Sequence, residues 1–374
     1  MIYPSIQIET SSVSVIPQAL GESLWNWSSV KRVLVVRLRS IGDTVLSTPS
    51  LIALRRFLPT AQIDVLLEDW VAPLLEGFEA VDNVLTVERG DTKDRLRVMF
   101  ELAKRGYDVA YNLHGGPTAG FLTAATMAKH RVGFENYRYK FLYNVAAPSS
   151  AELWQKEKTH SAEQQLALLG WTGVPVSDRP KSHLAVTETA QDLIEIKLKS
   201  AVQNPQSKIA LIHPVAAFET KQWASEKFAK IIEFLHERDF QAVAVGTPRE
   251  TATLEKLQSL AQVPIHTFTD LSLPEITALA ARAAVFVGND SGIAHIAAAV
   301  ETPSVVIFGS SNIAHWRPWT NAANEVVSEN IACAPCAGYK CEQFDVPHCI
   351  RNISVESVAA ALNRVLAKSV VSNI

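Results

Sequence analysis

The sequence predicts an α/β protein with two doubly wound, parallel-sheet domains that face each other. Short apolar runs of strand length alternate with helix-length segments along most of the 374 residues, which is the pattern of parallel sheets covered by helices. The chain is longer than one typical domain, and a polar stretch at 173–182 with Pro175 and Pro180 interrupts the alternation. Two such domains leave a cleft between them.

The first domain is predicted at residues 31–180, after an N-terminal extension at 1–30. Its first strand is followed by a loop at 39–43 and then by a helical segment. Runs rich in apolar and β-branched residues predict the other strands, and a helix-length segment such as 99–105 separates them. The predicted strands of this domain are 33–38, 63–67, 84–87, 109–113 and 131–134.

The second domain is predicted at residues 181–352 and repeats the same plan. A terminal segment at 353–374 follows it. In this segment the apolar residues at helical spacing predict a helix at 355–368, which we expect to pack back on the first domain. The other predicted elements are strands at 209–212, 242–245, around Val285 and around Val305, and helices at 225–238, 250–261 and 274–283.

Composition and charge exclude several classes of protein. The formal net charge is -3, and acidic and basic residues are interspersed, so no nucleic acid partner is expected. Residues 1–30 lack the basic start and the unbroken apolar core of a cleaved signal, and no run reaches membrane-spanning length. We therefore expect a cytoplasmic protein, and a peripheral contact with the inner face of the cytoplasmic membrane stays open.

The cysteines lie together near the end of the chain, and a cytoplasmic location disfavours structural disulfides among them. Four thiols match the ligand number of structural zinc, but their spacing is tighter than the common arrangement of two separated C-x2-C pairs. The pattern leaves zinc, reduced thiols and oxidised pairs open, in a structural role. The four residues are Cys333, Cys336, Cys341 and Cys349.

The segment 284–295 reads as a buried strand, a Gly-Asn-Asp-Ser-Gly turn and an alanine-rich helix. Asp290 or Ser291 is expected to cap this helix, whose free N–H groups point to the carboxyl edge of the sheet. A helix N-terminus at that edge favours a phosphate. No G-x-G-x-x-G follows the first strand of either domain, which argues against a dinucleotide-dependent oxidoreductase.

Four segments in one order resemble glycosyltransferase family 9, the ADP-heptose:lipopolysaccharide heptosyltransferase family. The resemblance covers about residues 31–365, and the first and last segments are specific in combination. The segments are 35–46 with Pro49 and Leu54-Arg55, His213-Pro214 with Lys221-Gln222-Trp223, 246–250, and 288–295.

The resemblance implies a GT-B-type fold of two Rossmann-like domains, with no cofactor required for catalysis. It also implies a nucleotide sugar, ADP-heptose, bound mainly by the C-terminal domain, and a lipid A-linked core saccharide presented to the N-terminal domain. Inverting transfer needs a base for the proton of the acceptor hydroxyl, and the family's proposed base matches Asp43. Gly42 is expected to let the chain turn so that Asp43 faces the cleft, while a helix cap is the competing role for Asp43.

Donor binding is expected from residues of the second domain. The N–H groups at 291–293 and the Lys221 ammonium would hold the diphosphate, and Asp290 would cap the helix and accept from sugar hydroxyls. Glu250 opens a helix, where it would bind the ribose hydroxyls or only favour the helix dipole. His295 would reach a phosphate or pack structurally. The donor set is Lys221, Glu250, Asp290, Ser291, Gly292 and His295.

Acceptor binding is expected from Ser40, Gly42 and His114. Basic and aromatic residues between 131 and 158 suggest either a surface for an anionic lipid or sugar, or an ordinary solvated surface over an aromatic core. At 216–218 the chain reads Ala-Ala-Phe, where the family often carries hydroxyl side chains. Another nucleotide sugar for a different surface glycan therefore stays open, as does a nucleotide-sugar-binding protein without turnover.

Overall fold

A computed structural model describes residues 16–201, 207–336 and 338–371. Residues 1–15 of the predicted extension and residues 372–374 of the predicted tail lie outside these ranges. The described chain forms two six-stranded sheets in which every strand pair is parallel. The α/β fold with two domains is therefore confirmed.

The first sheet has the strand order β3-β2-β1-β4-β5-β6. Its strands are β1 (Arg32–Leu38), β2 (Gln62–Glu68), β3 (Asn83–Val87), β4 (Val109–Asn112), β5 (His130–Phe134) and β6 (Val145–Ala147). Its helices are α1 (Ile41–Val45), α2 (Thr48–Phe57), α3 (Thr92–Lys104), α4 (Pro117–Ala125), α5 (Ser150–Trp154) and α6 (Ser161–Trp171).

The second sheet has the order β12-β11-β10-β7-β8-β9. Its strands are β7 (Lys208–His213), β8 (Phe240–Val245), β9 (Ile265–Phe268), β10 (Val285–Asn289), β11 (Ser304–Phe308) and β12 (Asn324–Ser328). The helices of this half are α7 (Glu188–Ala201), α8 (Ser225–His236), α9 (Thr251–Leu260), α10 (Leu273–Arg282), α11 (Gly292–Ala299), α12 (Ile313–Trp316), α13 (His348–Arg351) and α14 (Val355–Val371).

Both sheets reverse their winding direction between two central strands, β1 and β4 in the first sheet and β7 and β10 in the second. In open α/β sheets, ligands bind beyond the carboxyl ends of the strands at this reversal. The loops that leave β1 and β4 carry Asp43 and His114, and those that leave β7 and β10 carry Lys221 and Asp290. The fold therefore places both groups of predicted site residues at the edges that bind ligands.

The two halves share part of one apolar core. This core joins the faces of β1 and β2 to α11 and α10, and it includes Val45 of α1 and Ile293 of α11. The last described residues of the N-terminal extension also pack on the first half. The Trp25 ring stacks on His130 with 4.2 Å between centroids, and the amides of Leu20 and Gly21 donate to the Gly170 carbonyl.

The prediction that the C-terminal helix packs back on the first domain is wrong. Helix α14 contacts β11, β12 and α8 of the second half. Its apolar stripe joins the core of the second sheet through Val358, Ala361, Leu362 and Val365. Arg364 reinforces this packing because it forms a forked ion pair with Glu325 of β12 at 2.6–2.9 Å. Across the described ranges, no helix combines the length and the apolar character that crossing a membrane requires.

Candidate active site

The chain reverses sharply after β1, at the point where α1 begins. Leu38 has a positive φ of 50°, and Ser40 is the N-cap of α1 with Asp43 at its third position. The Asp43 carboxylate accepts from the Ser40 N–H and Oγ at 3.3 and 3.0 Å, which forms a capping box. Asp43 thus takes part in a helix cap, and the turn does not depend on Gly42, which lies inside the helix.

Arg37 holds the other side of the Asp43 carboxylate. Its Nη2 forms an ion pair with Asp43 Oδ1, and its Nε donates to the Asp43 carbonyl at 3.2 Å. The Arg37 side chain is buried, whereas about a quarter of the Asp43 side chain (24%) reaches solvent. The carboxylate is therefore fixed at both oxygens and still accessible. Arg37 could not be assigned a role from the sequence, because it lies within an apolar strand.

The same guanidinium reaches His114 at the end of the β4 loop. Arg37 Nη1 donates to the Leu113 carbonyl at 3.0 Å and lies 3.3 Å from His114 Nδ1. A guanidinium can only donate, so Nδ1 accepts and the imidazole proton sits on Nε2. Burial, followed by the Arg37 charge, lowers the pKa of His114 to about 4, so the ring is neutral at pH 7. Asp43, Arg37 and His114 form one hydrogen-bonded group.

In the second half, Lys221 and Asp290 form an ion pair. Lys221 Nζ lies 2.8 Å from Asp290 Oδ2, which also accepts from Ser311 Oγ at 2.5 Å. Asp290 is buried, and the Lys221 side chain is 23% exposed. The expectation that Asp290 caps α11 is wrong, because the N-cap is Ser291 and no side chain caps the helix. Asp290 instead orients Lys221 beside the uncapped helix end.

Asn289 joins the ends of β10 and β7. Its Oδ1 accepts from the Trp223 N–H at 3.1 Å, and its Nδ2 donates to the Pro214 carbonyl at 2.9 Å. The Trp223 indole is itself buried and donates to the Ile353 carbonyl at 2.9 Å. These bonds fix the segment that carries Lys221, so Asn289 and Trp223 are structural supports of the site.

Ser291 at the start of α11 and Glu250 at the start of α9 carry two further polar groups. Ser291 Oγ lies 3.1 Å from Nδ1 of His213, whose pKa is lowered to about 4 by burial. Glu250 is the N-cap residue of α9, and its Oε2 accepts from the Thr247 N–H and Oγ1 at 2.7 and 2.9 Å. Within the described parts of the chain, Glu250 Oε1 has no hydrogen-bond partner. It is therefore available to a ligand.

The helices that carry the two halves of the site touch each other. A Cβ placed on Gly42 would lie 2.7 Å from His295 Cδ2, and one on Gly292 would lie 2.7 Å from the Cβ of Ile41. Only glycine allows this approach. His295 is buried between α1 and α11, and desolvation lowers its pKa. The predicted acceptor residue Gly42 and the predicted donor residues Gly292 and His295 thus meet in one interdomain contact.

A cavity of about 390 Å³ opens beside Lys221. The loop at 310–316 forms part of its wall, and the cysteine-bearing loop forms the other part through Pro335 and Cys336. This wall could not be predicted from the sequence, because the segments that form it lie far from Lys221 in the chain. Its lining residues are Phe218, Lys221, Ser310, Ser311, Asn312, Trp316, Pro335, Cys336 and Gly338.

The four cysteines surround a neighbouring cavity of about 720 Å³ beneath Thr220. All four thiols are free, and burial raises the pKa of the Cys349 thiol. Among the described residues, no group of three or more His, Cys, Asp or Glu side chains is arranged to hold a metal ion. The side chains as placed do not fit a zinc ion, so zinc stays a prediction from spacing.

A further cavity, of about 370 Å³, lies on the first half beside His114. Arg39, Arg89 and Arg95 line it, together with the start of α4. Arg39 and Arg89 lie 3.8 and 3.9 Å from the buried carboxylate of Glu68. Glu68 and Glu88 also line this cavity, so its charges are mixed, with three arginines against two glutamates. It is open to solvent and next to the Arg37–Asp43–His114 group, which makes it a candidate site for a polar substrate.

The two doubly wound domains, which meet through α1 and α11 beside the carboxyl ends of their central strands, have the GT-B-type fold. The model of the family "Glycosyltransferase family 9 (heptosyltransferase)" matches residues 95–345. The chain belongs to this family and is a glycosyltransferase, which confirms the resemblance seen in the sequence.

Similar proteins agree with this assignment. Lipopolysaccharide heptosyltransferase 3 of Escherichia coli is 28% identical over 302 residues, which cover 76% of this chain and 85% of that protein. Among solved structures, a family 9 glycosyltransferase from Veillonella parvula matches with a TM-score of 0.79 and 19% identity, covering 90% of this chain and 97% of the other. The E. coli ADP-heptose lps heptosyltransferase II matches with a TM-score of 0.75 and 21% identity, covering 90% and 99%. These structures share the fold.

Proposed function

We propose that this protein is an inverting glycosyltransferase that moves heptose from ADP-heptose to a saccharide of the lipopolysaccharide core. One observation carries the proposal: the helix α1, which holds Asp43, packs directly against the uncapped start of α11, which follows Asp290 of the Lys221–Asp290 pair in the chain. The names of similar proteins support the sugar and the acceptor, because they include lipopolysaccharide heptosyltransferases and an ADP-heptose enzyme.

Asp43 is the proposed base. Its carboxylate accepts from Ser40 and Arg37, and each carboxylate oxygen has a second lone-pair position for a further donor. An acceptor hydroxyl that binds there gives its proton to Asp43 while its oxygen attacks the anomeric carbon. The bond to the diphosphate breaks on the opposite face, so the configuration inverts. The neutral His114, with its proton on Nε2, would orient the acceptor as a hydrogen-bond donor.

Lys221 and the start of α11 are the proposed diphosphate site. The Lys221 ammonium has three N–H donors, and Asp290 uses one of them. The others, with the first N–H groups of α11, face the charge that develops on the leaving group. Glu250 Oε1 would accept from the ribose hydroxyls. In this scheme Asp290 acts on the donor through Lys221, with which it is paired.

The residues near Lys221 bear on which sugar donor the protein uses. Ala216 and Ala217 supply no hydroxyl near the diphosphate site, and Phe218 lines the Lys221 cavity and contacts the Tyr339 ring edge-on at 4.4 Å. This apolar wall favours, as a second candidate, another nucleotide-activated hexose for a different surface glycan. A nucleotide-sugar-binding protein without turnover would bind the same donors and transfer nothing.

A donor screen tests the proposal. Purified protein is mixed with ADP-heptose, or with UDP- or GDP-hexoses, and with heptose-deficient lipopolysaccharide, and the product mass is measured. We expect a gain of one heptose with ADP-heptose. A hexose gain with another donor would select the second candidate, and tight donor binding without any mass gain would select the binding protein.

The proposed place of action follows from the acceptor, which is anchored in a bilayer. We propose that the protein works at the cytoplasmic face of the inner membrane as a peripheral protein. No step of the proposed reaction uses a metal or cofactor. Elemental analysis of the purified protein tests the zinc prediction for the cysteine loop.

A further inference from the structure

The first domain carries an exposed cluster of aromatic and basic side chains. It is formed by Phe121 on α4 and by Arg138, Tyr139, Lys140 and Phe141 in and before the turn at 140–142, and we call it the α4 patch. Phe141 is 74% exposed and Phe121 is 45% exposed. Phenylalanine side chains are normally inside a protein, and a cluster that is rimmed by charges marks an interaction site.

The members of the α4 patch contact one another. The Phe121 and Tyr139 rings have centroids 5.7 Å apart, and the Tyr139 and Phe141 rings lie 6.0 Å apart at right angles. The guanidinium of Arg138 lies 5.5 Å from the Tyr139 ring centroid. The three rings therefore form one continuous apolar surface with a cation at its rim.

The α4 patch is held in a fixed position. Arg131 Nε donates to the Leu142 carbonyl at 3.0 Å, and its Nη1 donates to the Ala128 carbonyl at 2.9 Å. Asn112 of β4 donates to the Tyr143 hydroxyl at 2.6 Å. These bonds tie the turn to the sheet. Arg131 and Tyr143 are thus structural, and Phe141 is left to project outward.

The charge of this region differs from that of the whole chain. Residues 117–143 contain four basic residues, Lys129, Arg131, Arg138 and Lys140, and one acidic residue, Glu135, whereas the chain carries a net charge of -3. Aromatic side chains with lysine and arginine at their rim suit the interface of an anionic bilayer, where rings sit at headgroup level and basic residues meet phosphates. The net charge of -3 disfavours a nucleic acid, whose phosphates need a broad basic surface.

The α4 patch is also close to the candidate acceptor cavity. Pro117 and Thr118, the first residues of α4, line the cavity beside His114. Phe121 lies one helical turn further on, a rise of about 6 Å. A surface held at the membrane by α4 would therefore present this cavity to a saccharide that stands on a lipid.

We propose that the α4 patch docks the protein on the surface of an anionic phospholipid bilayer. This inference rests on the proposed function at one point, because an acceptor that is attached to a lipid explains why the protein would bind a membrane. The binding itself is independent of sugar transfer.

The test uses flotation of the full-length protein with vesicles of phosphatidylcholine alone or mixed with phosphatidylglycerol. We expect binding to the mixed vesicles and weak binding to the neutral ones. Replacing Phe121 and Phe141 together by Ser should lower partitioning by roughly tenfold or more, because the inserted apolar area is lost. R138Q with K140Q should lower it roughly 25-fold, about fivefold for each charge.

Ile196→Ser is the matched control, because Ile196 is an exposed apolar residue (64%) on α7, in the other half of the chain. It should leave partitioning unchanged. All these variants should keep the wild-type rate of transfer to a short, water-soluble acceptor. Failure of the proposed function would appear as no sugar transfer in the donor screen, whereas failure of the docking proposal would appear only in the vesicle binding. Equal vesicle binding by wild type and the phenylalanine variant would overturn the proposal. The proposal would also be overturned if the wild-type protein bound no vesicles and formed a dimer that the phenylalanine variant converts to monomers.

Discussion

Replacing Asp43 by Asn tests the proposed mechanism most directly. The amide keeps the size of the carboxylate, and its oxygen can still accept from Arg37 or Ser40, but it cannot take a proton from the acceptor. A positioned general base contributes roughly 10²–10⁴ to a rate, so we expect kcat to fall about 10³-fold, or about 4 kcal/mol of transition-state stabilisation. Donor affinity should stay near wild type, since Asp43 lies on the other domain.

The contacts of Asp43 also determine how much this substitution lowers the free energy of unfolding. Arg37 keeps its bonds to the Leu113 and Asp43 carbonyls and to His114, so its charge is not stranded. The loss of free energy of unfolding should be about 1–2 kcal/mol. Glu275→Gln is the matched control, because Glu275 is also the third residue of a capping box and also pairs with a cation, Lys197, at 2.9 Å. It should cost similar stability but leave kcat unchanged.

The assay combines single-turnover transfer, ADP-heptose binding by calorimetry and thermal unfolding of both variants. Asp43→Asn with turnover within tenfold of wild type would remove Asp43 from the role of base. A similar loss of kcat in Glu275→Gln would show that damage to a helix cap, and not loss of the base, lowers the rate.

Three further predictions follow from the contacts. Gly292→Ala forces Ile41 away from α11. If the halves separate by about 1 Å, the rate of transfer should fall by roughly 10²-fold, while the circular dichroism spectrum stays native. Full activity would show that the close contact is dispensable. Lys221→Met should weaken ADP binding about tenfold or more in a titration at low salt, and an unchanged affinity would contradict its assignment. Burial lowers the pKa of His114 and His213 to about 4 and that of His160 to about 3, against 6.5 when unfolded. Between the folded and the unfolded pKa values, only the unfolded chain binds a proton at these histidines. The free energy of unfolding should therefore fall as the pH drops from about 6.5 to about 4. A free energy of unfolding that does not change over this pH range would contradict the prediction.

The sequence predicted most of the fold, because buried strands leave a clear signal. The apolar runs at β1, β7, β10 and β11 are buried almost throughout, so their positions could be read directly. The unpredicted strands were β6, β9 and β12, which are short or half-exposed and lack such runs. The apolar stripe of α14 predicted a buried face, but a stripe does not specify which neighbour covers it.

Candidate site residues could be proposed where they lie in family motifs. Asp43, Lys221 and Asp290 were proposed in this way, and they lie on loops that follow the central strands of the two sheets. Their partners were not predictable. Arg37 looks like any residue of a strand, and Ser311 comes from a loop without a motif. The role of Gly42 was misread for a similar reason, because a close approach to His295 depends on a helix some 250 residues away in the sequence.

The glycine contact between α1 and α11 also limits the routes that substrates can take. Two backbones this close leave no room for a sugar ring or a phosphate between them, so any ligand that bridges the two domains must lie beside the contact. The contact sets a minimum separation of the domains.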